Sequence, residues 1–346
     1  MHVNPNLFFL FKDGDFVVWD YQNHQQFALE DAYFERLKLW SQGKVTQPSP
    51  IDEELLEANL LSTIPVSQGE WGWDLLSHIF HKGTSDISEN ILTAEQWTES
   101  YLDYCATIAK NPLPIALSDA NIELPTADVS LLKTTDLIDV FYKRKTCRSF
   151  HSELITLSQL STLLYFSFGN IHKEWPDLDG LQQLGIRKAF PSGGGLHPEE
   201  VYIVALRVEG LEAGVYHYDC INHRLRLVKT GFFEQKVVEL VCSQYFAEGI
   251  AIGLFLTSKF EKSWWKYPHS RGYRVCLLDM GHASQTCLLT ASGLGLHTWV
   301  SGAFSDSNIR TFLELESDTE FPLFFIGIGH GDNDSLNPKI RKALEK

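Results

Sequence analysis

The chain has 346 residues, 44% of them hydrophobic and 21% charged, and a formal net charge of −15. That length exceeds one average domain, and the composition is that of an ordinary globular protein able to bury a sizeable core. The acidic balance excludes a nucleic acid or an anionic membrane as partner, since both would be repelled, and it makes a local basic cluster a candidate site for a small anion.

Residues 1–65 read as a small α/β, winged-helix-like module. Short strands over Leu7 to Lys12 and Asp15 to Trp19 flank the turn Asp13-Gly14, and Leu29 to Trp40 carries a helical apolar stripe of Ala32, Phe34, Leu37 and Leu39. A polar loop then leads to a second helix near Ile51. An edge strand of such a module can receive an extended peptide by strand addition, and a plain packing role fits it equally. Residues 66–130 read as a helical connector, aromatic-rich from Trp71 to Ala109 and then interrupted by Pro112 and Pro114.

Residues 131–346 read as a larger α+β domain. Asp136 to Arg144 is helical, and Thr156-Leu157-Ser158-Gln159 is a capping box opening a helix that stops at Gly169. Strands are expected over Glu200 to Val208, Gly214 to Asp219, Arg224 to Lys229, Gly249 to Ser258 and Phe321 to Ile328, with a long helix over Arg274 to Ser292. Hairpins and helices without strict βαβ alternation favour a mainly antiparallel sheet flanked by helices.

Three stretches can carry chemistry. Arg144, Lys145, Thr146 and Arg148 put two guanidiniums, an ammonium and a hydroxyl within five residues, a set suited to a phosphate. Read alone, the run is as well explained by a solvated basic patch near a helix C-terminus. Pro191-Ser192-Gly193-Gly194-Gly195-Leu196-His197 is a glycine-rich loop that lets backbone approach a flat or charged ligand. It is neither a Walker loop nor a dinucleotide fingerprint. Lys266-Tyr267 lies in an aromatic segment that can desolvate the lysine and suit it to act as a base, with the tyrosine as proton relay; a snorkelling surface lysine is the plain alternative. The six cysteines form no CxxC pair and no zinc-ligand spacing, so free thiols and no metal are expected. The N-terminus lacks signal-peptide character and no apolar run is long enough to cross a bilayer, so a soluble cytoplasmic protein without membrane contact is expected.

In this order the motifs resemble the nitroreductase superfamily, and within it the SagB-type dehydrogenases, a group that includes the azoline oxidases of thiazole- and oxazole-forming peptide pathways. Arg144 to Phe150 is similar to the opening that binds the FMN phosphate and ribityl chain, with Thr146 in place of the usual serine. Pro191, Ser192, Gly193 and Gly194 resemble the loop that borders the isoalloxazine. Lys266 and Tyr267 fall where azoline oxidases carry a catalytic Lys-Tyr pair. Val300-Ser301-Gly302 resembles the segment whose amide approaches flavin N5, and Lys339 and Arg341 fall in a Pro-Lys-x-Arg stretch that adds phosphate contacts.

The resemblance implies a nitroreductase-like FMN fold and a homodimer, with Gly281, Ala283 and Ser284 permitting close contact between long helices. It implies oxidation of a peptide- or carrier-protein-bound azoline, in company with a cyclodehydratase or synthetase complex. An NAD(P)H-fed oxidoreductase of another small molecule and a non-catalytic scaffold are the competing readings. Family members with longer peptide-clamp regions differ from this chain in residues 1–65.

Overall fold

The computed structural model describes residues 1–66, 70–86, 92–108, 116–133, 135–172, 187–332 and 338–345, with backbone only for 104–108, 338 and 339. After β1 (His2–Val3), Asp13 and Gly14 take positive φ, 54° and 93°. That is the turn geometry that matches strand twist in a hairpin. It joins β2 (Leu7–Lys12) to β3 (Asp15–Asp20), and β4 (Gln25–Ala28) completes a three-stranded antiparallel sheet. Sequence reading misses β4 because Gln25 and Gln26 give no alternating pattern. Its register is instead set by the preceding turn, where the Asp20 carboxylate accepts from the amides of Gln22 and Asn23.

Next come α1 (Asp31–Ser41), α2 (Pro50–Glu57), β5 (Leu61–Ser62), which pairs back on β1, and α3 (Leu75–Gly83). Val18, Leu37, Leu55, Leu60 and Leu61 form the core of this unit. Beside it, Asp52 accepts from Arg36 Nε and Trp40 Nε1, both at 2.7 Å, so α1 is tied to α2 by a buried carboxylate. The first compact unit spans residues 1–89 and the second 90–346.

The second unit opens with α4 (Ala94–Ile108), β6 (Ile122–Glu123), α5 (Ser130–Lys133), α6 (Leu137–Lys143), β7 (Ile155–Thr156) and α7 (Leu157–Phe168). It continues with β8 (Glu199–Ala205), β9 (Val208–Glu209), β10 (Gly214–Asp219), β11 (Arg224–Thr230), α8 (Glu234–Leu240), β12 (Ile252–Lys259) and α9 (Glu261–Trp264). Long α10 (Arg271–Gly293), β13 (His297–Ser301), α11 (Asp306–Leu313), β14 (Glu320–Gly329) and α12 (Pro338–Leu344) complete it. Thr156 and Gln159 form the expected capping box at the start of α7.

Seven strands make one sheet in the order β13-β14-β12-β8-β10-β11-β6, antiparallel at every pairing. The fold is therefore α+β, a mainly antiparallel sheet between helices. Strand alternation sends Val201, Ile203 and Ala205 into a core shared with α7 and α10, and Tyr202 and Val204 into a second core under α8 and α11. Because both faces are covered, β8, β10 and β12 are buried along nearly their whole length. α10 also turns Ala283 and Ser284 into the unit's own interior, so only Gly281 of the three expected contact residues lies on its outer face.

The register places the candidate motifs. Glu199 of β8 stands opposite Ser258 of β12, Lys259 of β12 opposite Glu320 of β14, and Ser301 of β13 opposite Phe325 of β14. The start of β8, the end of β12 and the end of β13 thus emerge at one end of the sheet. β13 ends level with Tyr202 of β8, three residues in from Glu199, and lies three strand spacings from that strand, about 14 Å.

Candidate functional site

The glycine loop enters β8 at that end. Gly194 and Gly195 sit at φ 63° and 67° and His197 at φ 46°, so the loop coils tightly through the left-handed region. Two devices fix it. From α10, buried Asp279 accepts from Ser192 Oγ at 2.6 Å and from the Gly193 amide at 3.1 Å. Burial pushes the Asp279 carboxyl up, against the hydrogen bonds from Ser192 and Gly193.

Beneath the loop, Lys188 Nζ donates to Glu199 Oε1 at 2.7 Å, joining the residues on either side of the loop. His197 Nδ1 lies 3.3 Å from the same oxygen. Burial opposes charge on both members of the pair, yet their attraction wins: Glu199 is held down to about 2 and Lys188 above its ordinary range. The loop is anchored on a charged pair that persists across the physiological range.

The segment after β12 meets the loop. Lys266 is 5% exposed and donates from Nζ to the Gly194 carbonyl at 3.3 Å. The rings of Tyr101 and Tyr267 lie 5.8 and 5.9 Å from the ammonium. This lysine is buried among aromatic rings, and the snorkelling alternative is set aside. A Cβ on Gly194 would stand 2.5 Å from the Tyr267 hydroxyl and 2.9 Å from Lys266 Nζ, so the ends of both side chains would have to give way to it. Pro191 and Gly194 are exposed, Ser192 and Gly193 half-buried. The far side of the loop lines a second hollow of ≈490 Å³ with Lys188, Phe190 and His197.

The basic run follows α6 and lies along β13: Thr146 bridges Thr298, and the Cys147 amide donates to the Thr298 carbonyl at 2.8 Å. Arg144 is half-buried and Lys145 exposed, and neither forms an ion pair among the described residues. Arg148 lies over the Phe246 ring at 5.6 Å. At the end of β13 Val300 is half-buried, Ser301 buried and Gly302 exposed. Gln244 Nε2 donates to Ser301 Oγ at 2.9 Å and to the Ala303 carbonyl at 2.8 Å, which fixes that strand end. Lys339 and Arg341 lie on α12; Arg341 is exposed, and the Lys339 side chain lies outside the described residues.

The structure thus brings the glycine loop to Lys266-Tyr267, and the basic run to the strand ending in Val300-Ser301-Gly302. Sequence reading placed Asp279 on the long helix without its role as loop clamp, and it missed Lys188, Glu199, Tyr101 and Gln244. A carboxylate on an otherwise apolar helix face, as at Asp279, is the one signal that pointed to a buried polar contact. Arg144 and Lys145, with no ion pair among the described residues, fit an anionic group such as a phosphate. Among the described residues no group of side chains suits a metal ion, and no helix is long and apolar enough to cross a membrane.

Known proteins resemble this chain in sequence and in fold. A family model described as the nitroreductase family matches residues 142–330. The nitroreductase-type protein MJ1384 of Methanocaldococcus jannaschii is 30% identical over 208 residues, 60% of this chain and 96% of its own length. The Microcin B17-processing protein McbC of Escherichia coli is 31% identical over 154 residues, 43% of this chain and 56% of its own. A nitroreductase-type crystal structure from Anabaena variabilis aligns with TM-score 0.53 at 24% identity, over 74% of this chain and 47% of that one, which shows a shared fold. The matched segment holds the basic run from Arg144, the glycine loop, Lys266-Tyr267 and the end of β13, and it spans more than half of the sequence. The chain belongs to the nitroreductase family.

Proposed function

We propose that the protein is an FMN-dependent dehydrogenase that oxidises thiazoline or oxazoline rings, carried on a peptide or carrier protein, to thiazoles or oxazoles. The observation that carries this reading is the buried Lys266 ammonium on the Gly194 carbonyl, with the Tyr267 hydroxyl against the same glycine. The similarity to McbC, a protein named for microcin B17 processing, supports a place in peptide maturation.

Arg144, Lys145, Thr146 and Arg148 would hold the FMN phosphate and ribityl chain, with Lys339 and Arg341 adding charge. Pro191, Ser192, Gly193 and Gly194 would border the ring from one side, and Val300, Ser301 and Gly302 would present backbone to it. When bound, FMN supplies a hydride acceptor for the ring carbon. As the neutral amine Lys266 would accept the proton lost from the neighbouring ring carbon, and Tyr267 would pass that proton on. Tyr101 and Tyr267 flank the lysine and shield it from bulk water.

The protein acts as a homodimer in this reading. α6 exposes Leu137, Ile138, Phe141 and Tyr142, and α10 exposes Leu277 and Leu278 beside Gly281, an apolar face that a second copy would cover. In residues 1–89, the free edge of β2 with exposed Phe9 and Phe11 suits an extended peptide segment. A cyclodehydratase would supply the azoline, and a cytoplasmic synthetase complex would bring the two together.

The test is turnover of a thiazoline peptide by purified Lys266→Ala and Tyr267→Phe proteins, read as loss of two hydrogens by mass. We expect Lys266→Ala to lose about 100-fold or more in kcat while still retaining FMN, and Tyr267→Phe to lose less. Wild-type rates in both variants would remove the assigned roles.

A further inference from the structure

Tyr267 has two sides. Its hydroxyl meets the glycine loop, while the residue also lines a separate hollow of ≈290 Å³ between the segment after β12 and the start of α10. Phe260, Trp264, Pro268 and Tyr273 give that hollow apolar walls, and Ser263 and Cys276 lie at its buried floor. His269 also lines it, and among the described residues no lysine, arginine, aspartate or glutamate does. Burial pushes the Cys276 thiol up, so the floor carries no charge. At the rim, Trp264 and Tyr273 are 50% and 43% exposed. A cavity of about 150 Å³ is enough to hold benzene, so this one has room for a phenyl or indole group.

We propose that this hollow is a specificity pocket that seats an aromatic or large aliphatic side chain of the substrate, next to the ring being oxidised. The identity of that substrate rests on the azoline dehydrogenase reading. Tyr267 is the argument for adjacency: the same residue lines the hollow and carries the hydroxyl at Gly194, one residue after Lys266, so a side chain seated in the hollow sits beside the pair. Aromatic walls without charged groups favour apolar occupants. A carboxylate entering the hollow would give up its water with no lysine or arginine there to replace it. Anchoring through a non-reacting side chain also orients the reacting ring.

The full-length protein, loaded with FMN, is compared on two thiazoline peptides that differ only in the residue beside the ring, tryptophan or aspartate. Binding of N-acetyl-tryptophan amide and N-acetyl-aspartate amide is measured alongside by calorimetry. Two variants probe the pocket: Cys276→Phe fills it, and Trp264→Ala removes an exposed wall with little demand on folding. We expect kcat/KM to favour the tryptophan peptide by about tenfold or more, and the preference to collapse in both variants. Tryptophan amide binding is expected in the wild type and not in Cys276→Phe. No preference in the wild type, or a preference unchanged in both variants, overturns the pocket. If neither peptide is oxidised the azoline reading fails, and the amide titrations then decide the pocket: selective tryptophan amide binding lost in Cys276→Phe supports it, and equal or absent binding overturns it.

Discussion

Lys266 Nζ donates to the backbone carbonyl of Gly194 at 3.3 Å across 72 residues of sequence. The contact exists because Gly194 stands at φ 63° and has no side chain to keep Tyr267 and Lys266 away. Gly194→Ala should therefore displace the pair, and it also places a Cβ in a backbone conformation that costs about 1–2 kcal/mol. We expect kcat to fall about 100-fold, since a displacement of about 1 Å is enough for that, while FMN is retained. Steady-state kinetics with flavin occupancy measured in parallel checks it, and a wild-type kcat would show that the approach has no catalytic weight.

Arg144 and Lys145 carry positive charge with no ion-pair partner among the described residues, in a chain of net charge −15. Each charge-assisted hydrogen bond to phosphate contributes about 1.5–3 kcal/mol. Arg144→Ala and Lys145→Ala should each raise the Kd for FMN roughly 10- to 100-fold, with the larger effect at half-buried Arg144. Their Kd for riboflavin, which lacks the phosphate, should stay near that of the wild type. Fluorescence titration of both flavins distinguishes a phosphate clamp from a solvated patch, for which neither Kd would move.

In the first unit, the Arg36 guanidinium beside Asp52 holds its carboxyl well below the usual range, against the opposing effect of burial. An unfolded aspartate titrates near about 3.9, so between the two values the unfolded chain binds more protons than the folded one. The contribution of this pair is therefore complete above about pH 4 and is lost as pH falls further. Asp52→Asn should cost about 2–3 kcal/mol at pH 7 and flatten the acid dependence of unfolding of residues 1–89. Denaturant melts at pH 7 and pH 3 check this; an unchanged slope with pH would mean that other carboxylates govern it.

Much of the site was legible because its parts are contiguous. The run from Arg144 to Arg148, the loop from Pro191 to His197 and the pair Lys266-Tyr267 each announce themselves within a few residues. What holds them was not legible. Gln244 reaches Ser301 across 57 positions and Asp279 reaches Gly193 across 86, and nothing local in the sequence names the partner of either residue. The same holds for the fold. Strands with both faces buried, such as β12, read as apolar runs and were anticipated, whereas short β6, which pairs through Ile122 and Glu123 alone, was hidden inside an expected connector. β12 also begins at Ile252 and not at the expected Gly249, because Gly249 takes φ 83° and turns the chain before the strand.

The central claim is that the protein oxidises an azoline and hands the hydride to its own flavin, without a nicotinamide. Mixing FMN-loaded protein anaerobically with a thiazoline peptide, and separately with NADPH, tests it in one spectrum. The account predicts rapid loss of the yellow flavin absorbance with the thiazoline, greatly slowed in Lys266→Ala, and little change with NADPH. Bleaching by NADPH while the thiazoline leaves the flavin oxidised would contradict it.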